Sequence, residues 1–157
     1  MSTTTRTIRL TAAQALTRFL INQHTKLDNG EEIPFFAGVW AIFGHGNVAG
    51  VGEALYQVKH QLPTFRGHNE QSMALAAIAF AKARQRQQAM VATTSLGPGA
   101  TNLVTAAGVA YVNRLPVLLV PGDVFASGQP DPVLQQSENF ADGSSTVNDS
   151  LRPVSRY

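Results

Sequence analysis

Apolar residues along this 157-residue chain fall into two kinds of run, and the two kinds alternate. Ala12, Ala15, Leu16, Phe19 and Leu20 recur at helical spacing. Thr11 in front of them and Gln14 three places on make a capping box, so the spacing predicts an amphipathic helix to about Gln23. Residues 26–32 are rich in turn formers, and Pro34 closes that loop. Residues 35–43 are almost continuously apolar, which suits a strand buried on both faces, as in a parallel sheet. The alternation then continues with a short helix over 53–59 and a short strand over 62–66. A long Ala-rich helix opened by Asn69-Glu70 comes next, expected to bury Met73, Ala76, Ala77, Phe80 and Ala83. Lys82, Arg84 and Arg86 at its far end read as a solvated terminus opposing the helix dipole. A strand over 88–94, a turn over 95–99, a helix of small residues over 101–112 and a fourth buried strand over 115–120 complete the pattern. Such alternation predicts an α/β fold with a parallel β-sheet flanked by helices.

The pattern ends at Pro121-Gly122-Asp123. From Ala126, Gly, Pro, Ser, Asn, Gln and Asp dominate and apolar residues are isolated, which reads as a linker or partner-dependent loop. The chain is therefore divided into a core over residues 1–125 and a polar extension over 126–157.

Composition narrows the function. Charged residues make up only 14% of the chain, against about 25% in ordinary soluble domains. A surface so poor in charge is expected to be covered in part by another domain or subunit. The net charge of +2 is slight, and no Lys/Arg stripe interleaves with aromatics, which argues against a nucleic-acid partner. There is no cysteine, hence no disulfide framework and no thiol nucleophile, as suits a cytoplasmic enzyme. No apolar run reaches 18 residues and the N-terminus lacks a signal-peptide core, so a soluble chain with no membrane association is expected. Histidines 24, 45, 60 and 68 show no metal-ligand spacing, and no metal site is expected. Ser95 lacks a nucleophile-elbow context, which leaves a hydrolase triad unsupported.

Two stretches carry candidate chemistry. In Arg66-Gly67-His68-Asn69-Glu70-Gln71-Ser72-Met73, Glu70 stands at the opening of the apolar helix. A carboxylate in a first helical turn is favoured by the dipole and by unpaired N–H groups alone. Its setting, where core meets cleft, also suits a carboxyl that trades a proton with a bound ligand. In Gly44-His45-Gly46-Asn47-Val48-Ala49-Gly50, glycines follow a strand and precede a helix, which permits close backbone approach to a pyrophosphate. The third glycine comes one place late and no acidic residue follows at the dinucleotide distance, so a stand-alone nucleotide-binding module is the weaker reading.

The Glu70 stretch resembles the segment bearing the catalytic glutamate in thiamine-diphosphate-dependent enzymes of the acetohydroxyacid synthase type. Ser95-Leu96-Gly97-Pro98-Gly99-Ala100-Thr101-Asn102 resembles that family's second signature, in the same order. A narrower likeness, in Phe43 to Gly50 and in Arg152-Pro153-Val154-Ser155-Arg156-Tyr157, points to a branch that hydrolyses a C–C bond of a cyclic diketone in inositol catabolism. The resemblance implies an N-terminal pyrimidine-binding domain, with the middle and diphosphate-binding domains absent. It implies thiamine diphosphate as cofactor, with Mg2+ bound through the absent domain. Glu70 would be the catalytic group and would bind the cofactor with Gly44, Gly46 and Asn102. Most relatives carry Gly-Val-Pro-Gly where this chain has Gly44-His45-Gly46-Asn47, and His45 and Asn47 would meet a polar substrate. Asn69 replaces the usual His, and Leu96 the usual Ser. The resemblance further implies a homo-oligomer, dimer or tetramer, and inactivity of this fragment alone. A carboligase of the acetolactate synthase kind, and a non-catalytic subunit of the same fold, remain alternatives.

Overall fold

The computed structural model describes residues 7–123, 134, 141, 142 and 144–156. Helix α1 (Ala12–Ile21) starts as the capping box requires: Thr11 Oγ1 accepts from the Gln14 N–H, and the Gln14 side chain accepts from the Thr11 N–H. A small antiparallel pair, β1 (His24–Lys26) and β2 (Glu32–Pro34), follows around the turn-rich loop. The sequence reading left this stretch as loop, because three-residue strands are too short to display an alternation.

The main sheet is built from β3 (Phe36–Ala41), β4 (Thr64–Arg66), β5 (Ala89–Thr94) and β6 (Leu118–Pro121). All neighbours run parallel, in the order β4-β3-β5-β6, which bears out the expected α/β fold. A π-helical turn (Val48–Gly52) and α2 (Glu53–Gln57) connect β3 to β4. Helix α3 (Glu70–Ala83) carries the chain across to β5, and α4 (Pro98–Thr101) with α5 (Val104–Asn113) lead to β6. After β3 the chain builds outward to β4, then returns to the other side of β3 to lay down β5 and β6. The strand order therefore reverses between β3 and β5. In open parallel sheets, the crevice beyond the C-terminal strand ends at such a reversal is where ligands bind. The two glycine-bearing stretches leave the sheet there.

Each face of the sheet has its own core. Ala92 of β5, with Trp40 of β3 partly buried beside it, packs with Ala74 and Ile78 of α3 and Ala106, Ala107 and Ala110 of α5. Val39 and Val91 point the other way, into a cluster with Leu20, Leu55 and Leu62. Successive strand residues alternate between faces, and β5 is buried at every position. The expectation for α3 needs correction. Its buried stripe is Met73, Ala74, Ala77, Ile78 and Ala81, whereas Ala83 is exposed and Ala76 and Phe80 are only half-buried. In a helix of nearly uniform apolarity, periodicity cannot choose the face; the helix–sheet contact does. Strand β6, expected to be fully buried, is half-exposed throughout, since it has a hydrogen-bonded neighbour on one side alone.

Arg86, expected to be merely solvated, donates to the carbonyls of Arg114 and Asn113 at the end of α5. Those carbonyls lack helical partners. Gln85 and Arg86 both have positive φ, which brings the guanidinium round onto them.

Half of the proposed extension lies outside the described residues. Its far end forms a 3₁₀ segment (Val147–Val154) capped by Thr146 and Asp149. That segment packs on α4 and α5, with Leu151 only 9% exposed. One buried leucine in a polar stretch anchors a piece that composition alone reads as loop.

Candidate functional site

Asn69 and Glu70 are placed by the start of α3. Asn69 is the N-cap, its Oδ1 accepting from the Ser72 N–H at 2.9 Å, so the position where relatives carry His is here a capping residue. Gly67 lies hard against Met73, where a Cβ has no room, and this closeness brings the chain into the helix. Glu70, the first helical residue, is half-buried.

The second glycine stretch meets it. Gly97, at φ 60, turns the chain out of β5, and Pro98 opens α4. Asn102 caps the end of α4, interrupting the helix expected over 101–112. From there its Nδ2 donates to Glu70 Oε2 at 2.8 Å. The other carboxylate oxygen faces Gly99: a Cβ built there would stand 3.3 Å from Oε1 and 3.5 Å from the Ser95 Cβ. Ser95 in turn fills the space over Gly44, whose Cβ would overlap the Ser95 Oγ. Glu70, Gly99, Ser95 and Gly44 thus form one continuous wall at the C-terminal ends of β3 and β5.

Ser95 Oγ is buried and has no hydrogen-bond partner among the described residues. A buried hydroxyl in that state is costly, on the order of 1–3 kcal/mol, unless something fills the gap. A half-buried carboxylate and an unmet hydroxyl thus lie close together at the strand reversal, donors and acceptors that suit a nitrogen-bearing ring. The sequence reading passed over Ser95 once a triad was set aside. The available signal was polar residues (Thr93, Thr94, Ser95) at the C-terminal end of an otherwise apolar strand.

The loop after β3 has a different use from either sequence reading. Asn47, proposed to face substrate, is buried at 7% exposure with its side chain fully engaged. Its Oδ1 accepts from the Gly44 N–H at 3.0 Å. Its Nδ2 donates to Thr94 O at 2.8 Å and to Thr93 Oγ1 at 3.3 Å. Thr93 Oγ1 then donates to Val120 O at 2.8 Å. One amide therefore ties the ends of β3 and β5, and through Thr93 that of β6. The N–H groups of Asn47, Val48, Val51 and Gly52 also bond within the loop. A pyrophosphate cradle needs donors free, and these are taken, which weakens the nucleotide reading. Gly46 packs against Leu96. His45 is exposed and makes no side-chain hydrogen bond to a described residue, so the structure brings it to the rim and Asn47 to the interior.

Among the described residues there is no group of three or more His, Cys, Asp or Glu placed to hold a metal ion. Nor is any helix among them long and apolar enough to cross a membrane.

A parallel sheet with a carboxylate and two glycine turns at its strand reversal defines a cofactor-binding α/β domain. A family model described as "Thiamine pyrophosphate enzyme, N-terminal TPP binding domain" matches residues 37–143, and the chain belongs to that family. It is 56% identical to the 3D-(3,5/4)-trihydroxycyclohexane-1,2-dione hydrolase of Geobacillus thermodenitrificans, over 96% of this chain and 24% of that protein. Proteins of the same name from Bacillus subtilis and Listeria monocytogenes are 54% and 53% identical, over 96% and 98% of this chain and 23% and 24% of theirs. The chain thus spans about a quarter of the length of these relatives.

Proposed function

We propose that this chain is the pyrimidine-binding part of a thiamine-diphosphate-dependent hydrolase that opens the ring of trihydroxycyclohexane-1,2-dione in inositol catabolism. The observation that carries the reading is the half-buried Glu70 carboxylate, with one oxygen tethered and the other turned to the glycine wall at the strand reversal. The names of the relatives supply the substrate.

When bound, thiamine diphosphate supplies a nucleophilic carbon for attack on a ketone and holds the electron pair released as the neighbouring C–C bond breaks. Glu70 Oε1 would hold the proton shared with a ring nitrogen of the aminopyrimidine. Asn102 would fix the carboxylate, and the missing side chains of Gly99 and Gly44 leave room for Glu70 and Ser95 to take their places beside the ring. Ser95 Oγ would gain its missing partner from the ring edge. Gly46 holds the loop down on Leu96, and His45 at the rim is the residue placed to meet the substrate's hydroxyl groups.

The same reading assigns Mg2+ to a diphosphate-binding domain outside this chain, and a cytoplasmic enzyme working as a dimer or tetramer. In it, the site closes only when a second domain covers the glycine wall. The test is Glu70→Gln in the full-length enzyme. Ring-opening activity is expected to fall by about 10²–10⁴-fold, the usual contribution of a positioned proton-transfer group. Activity near that of the unmodified enzyme would overturn the assignment.

A further inference from the structure

Among the described residues, the hydrogen bond of the Asn102 side chain runs to Glu70. We infer that Asn102 is a positioning residue that selects which oxygen of Glu70 serves the cofactor; the inference rests on the function proposed above. Its Nδ2 donates to Oε2 at 2.8 Å. A hydrogen bond of this length holds the plane of the carboxyl group. Oε2 is thereby occupied, and Oε1 is left against Gly99 on the Ser95 side of the wall.

The backbone explains why an asparagine at this point does the work. Asn102 ends α4, with φ −66 and ψ −10, and α5 begins only at Val104. The helical path breaks at the residue that bonds the carboxylate. Leu103, next to it, is fully buried, so the break is anchored from below. Glu70 is joined to the start of α3 and Asn102 to the end of α4. The pair therefore also couples two elements that enter the crevice from different strands. A carboxylate without this tether would rotate about its last side-chain bond and present either oxygen, or neither, at the ring position.

The experiment uses the full-length enzyme with Asn102→Leu, which removes the donor at similar volume, and Asn102→Gln, which keeps the amide on a longer stem. Three quantities are read: thiamine diphosphate affinity, the rate at which the C2 hydrogen of the bound cofactor exchanges with deuterium, and turnover. A positioning role predicts that Asn102→Leu slows deuterium exchange by about tenfold or more, the scale of one such bond. Affinity should change by less than about threefold. Asn102→Gln should recover part of the exchange rate, and keeps the test open should the Leu variant fail to fold. In a Glu70→Gln background the Asn102 change should add almost nothing, as expected of residues acting as a unit. Unchanged exchange in both Asn102 variants, with Glu70→Gln inactive, would overturn the inference alone. A large loss of affinity with normal exchange would make Asn102 a direct cofactor contact and also overturn it. An active Glu70→Gln enzyme would instead overturn the function on which it rests.

Discussion

At the scale of single residues, the site is governed by atoms that are missing as much as by those present. Gly99 lies inside a short helix without positive φ, so nothing in its backbone demands glycine. What excludes a larger residue is Glu70 Oε1, 3.3 Å from where a Cβ would stand. Gly99→Ala should therefore leave the melting temperature within about 2–4 °C of the parent, since alanine's helical gain offsets the small shift asked of the Glu70 side chain. The same change should weaken thiamine diphosphate binding by about tenfold, equivalent to about 1.4 kcal/mol. Calorimetric titration beside a thermal melt checks both halves. Asn47→Ala should behave in the opposite way. It strips partners from the Gly44 N–H, Thr94 O and Thr93 Oγ1 in a buried setting, and should cost about 1–3 kcal/mol in denaturant unfolding. Glu70 was legible in the sequence because a helix start and a resemblance converged on it. Asn47 was misread because nothing in a glycine-rich loop reveals that its asparagine turns inward. That choice is made by Thr93 and Thr94, 46 and 47 residues away.

Elements show a similar division. The strands β3 and β5 and the helices α1 and α3 were legible because long apolar runs and caps are local signals. The β1/β2 pair, the face of α3 and the division between α4 and α5 depend on contacts made elsewhere. The terminal 3₁₀ segment was the hardest to read, anchored by Leu151, Val154 and the Asn148 bond to Gly122 O, and its stability has a testable pH signature. Asp149 accepts from the Thr146 N–H and from Arg152, which hold its carboxyl below the ordinary value of 3.8. A carboxyl lowered in the folded state binds its proton more readily when unfolded. It therefore contributes stability above about pH 4, and that contribution is lost as the pH falls through the folded value. Hydrogen-exchange protection of this segment, corrected for intrinsic rates, should drop below about pH 4 while β5 keeps its own. Asp149→Asn should flatten that dependence. Within the core, Ala77→Leu on α3, at a position with no exposure, should cost about 1–3 kcal/mol through overpacking.

For the whole molecule, the low charge noted in the sequence has a spatial counterpart. Tyr56, Phe19, Tyr111 and Val112 are 50–75% exposed, while one of the two core clusters is rich in alanine. The proposed function has this exposed apolar surface covered by a further domain or subunit. Sedimentation of the full-length enzyme is expected to report a dimer or larger, and the 157-residue chain alone should show no ring-opening activity under the same assay. A monomeric, active full-length enzyme would contradict that picture.

The amide of Asn47 bears on how such a domain could be re-engineered. Because one side chain reaches from the loop after β3 to two threonines on β5 and, through one of them, to β6, that loop is not an independent module. Transplanting it into a related scaffold without Thr93 and Thr94 would strand its inward-facing amide, and the donor loop would not keep its shape. A workable exchange moves both strand ends together, so recombination of new substrate preferences onto this domain has a minimum unit of two loops.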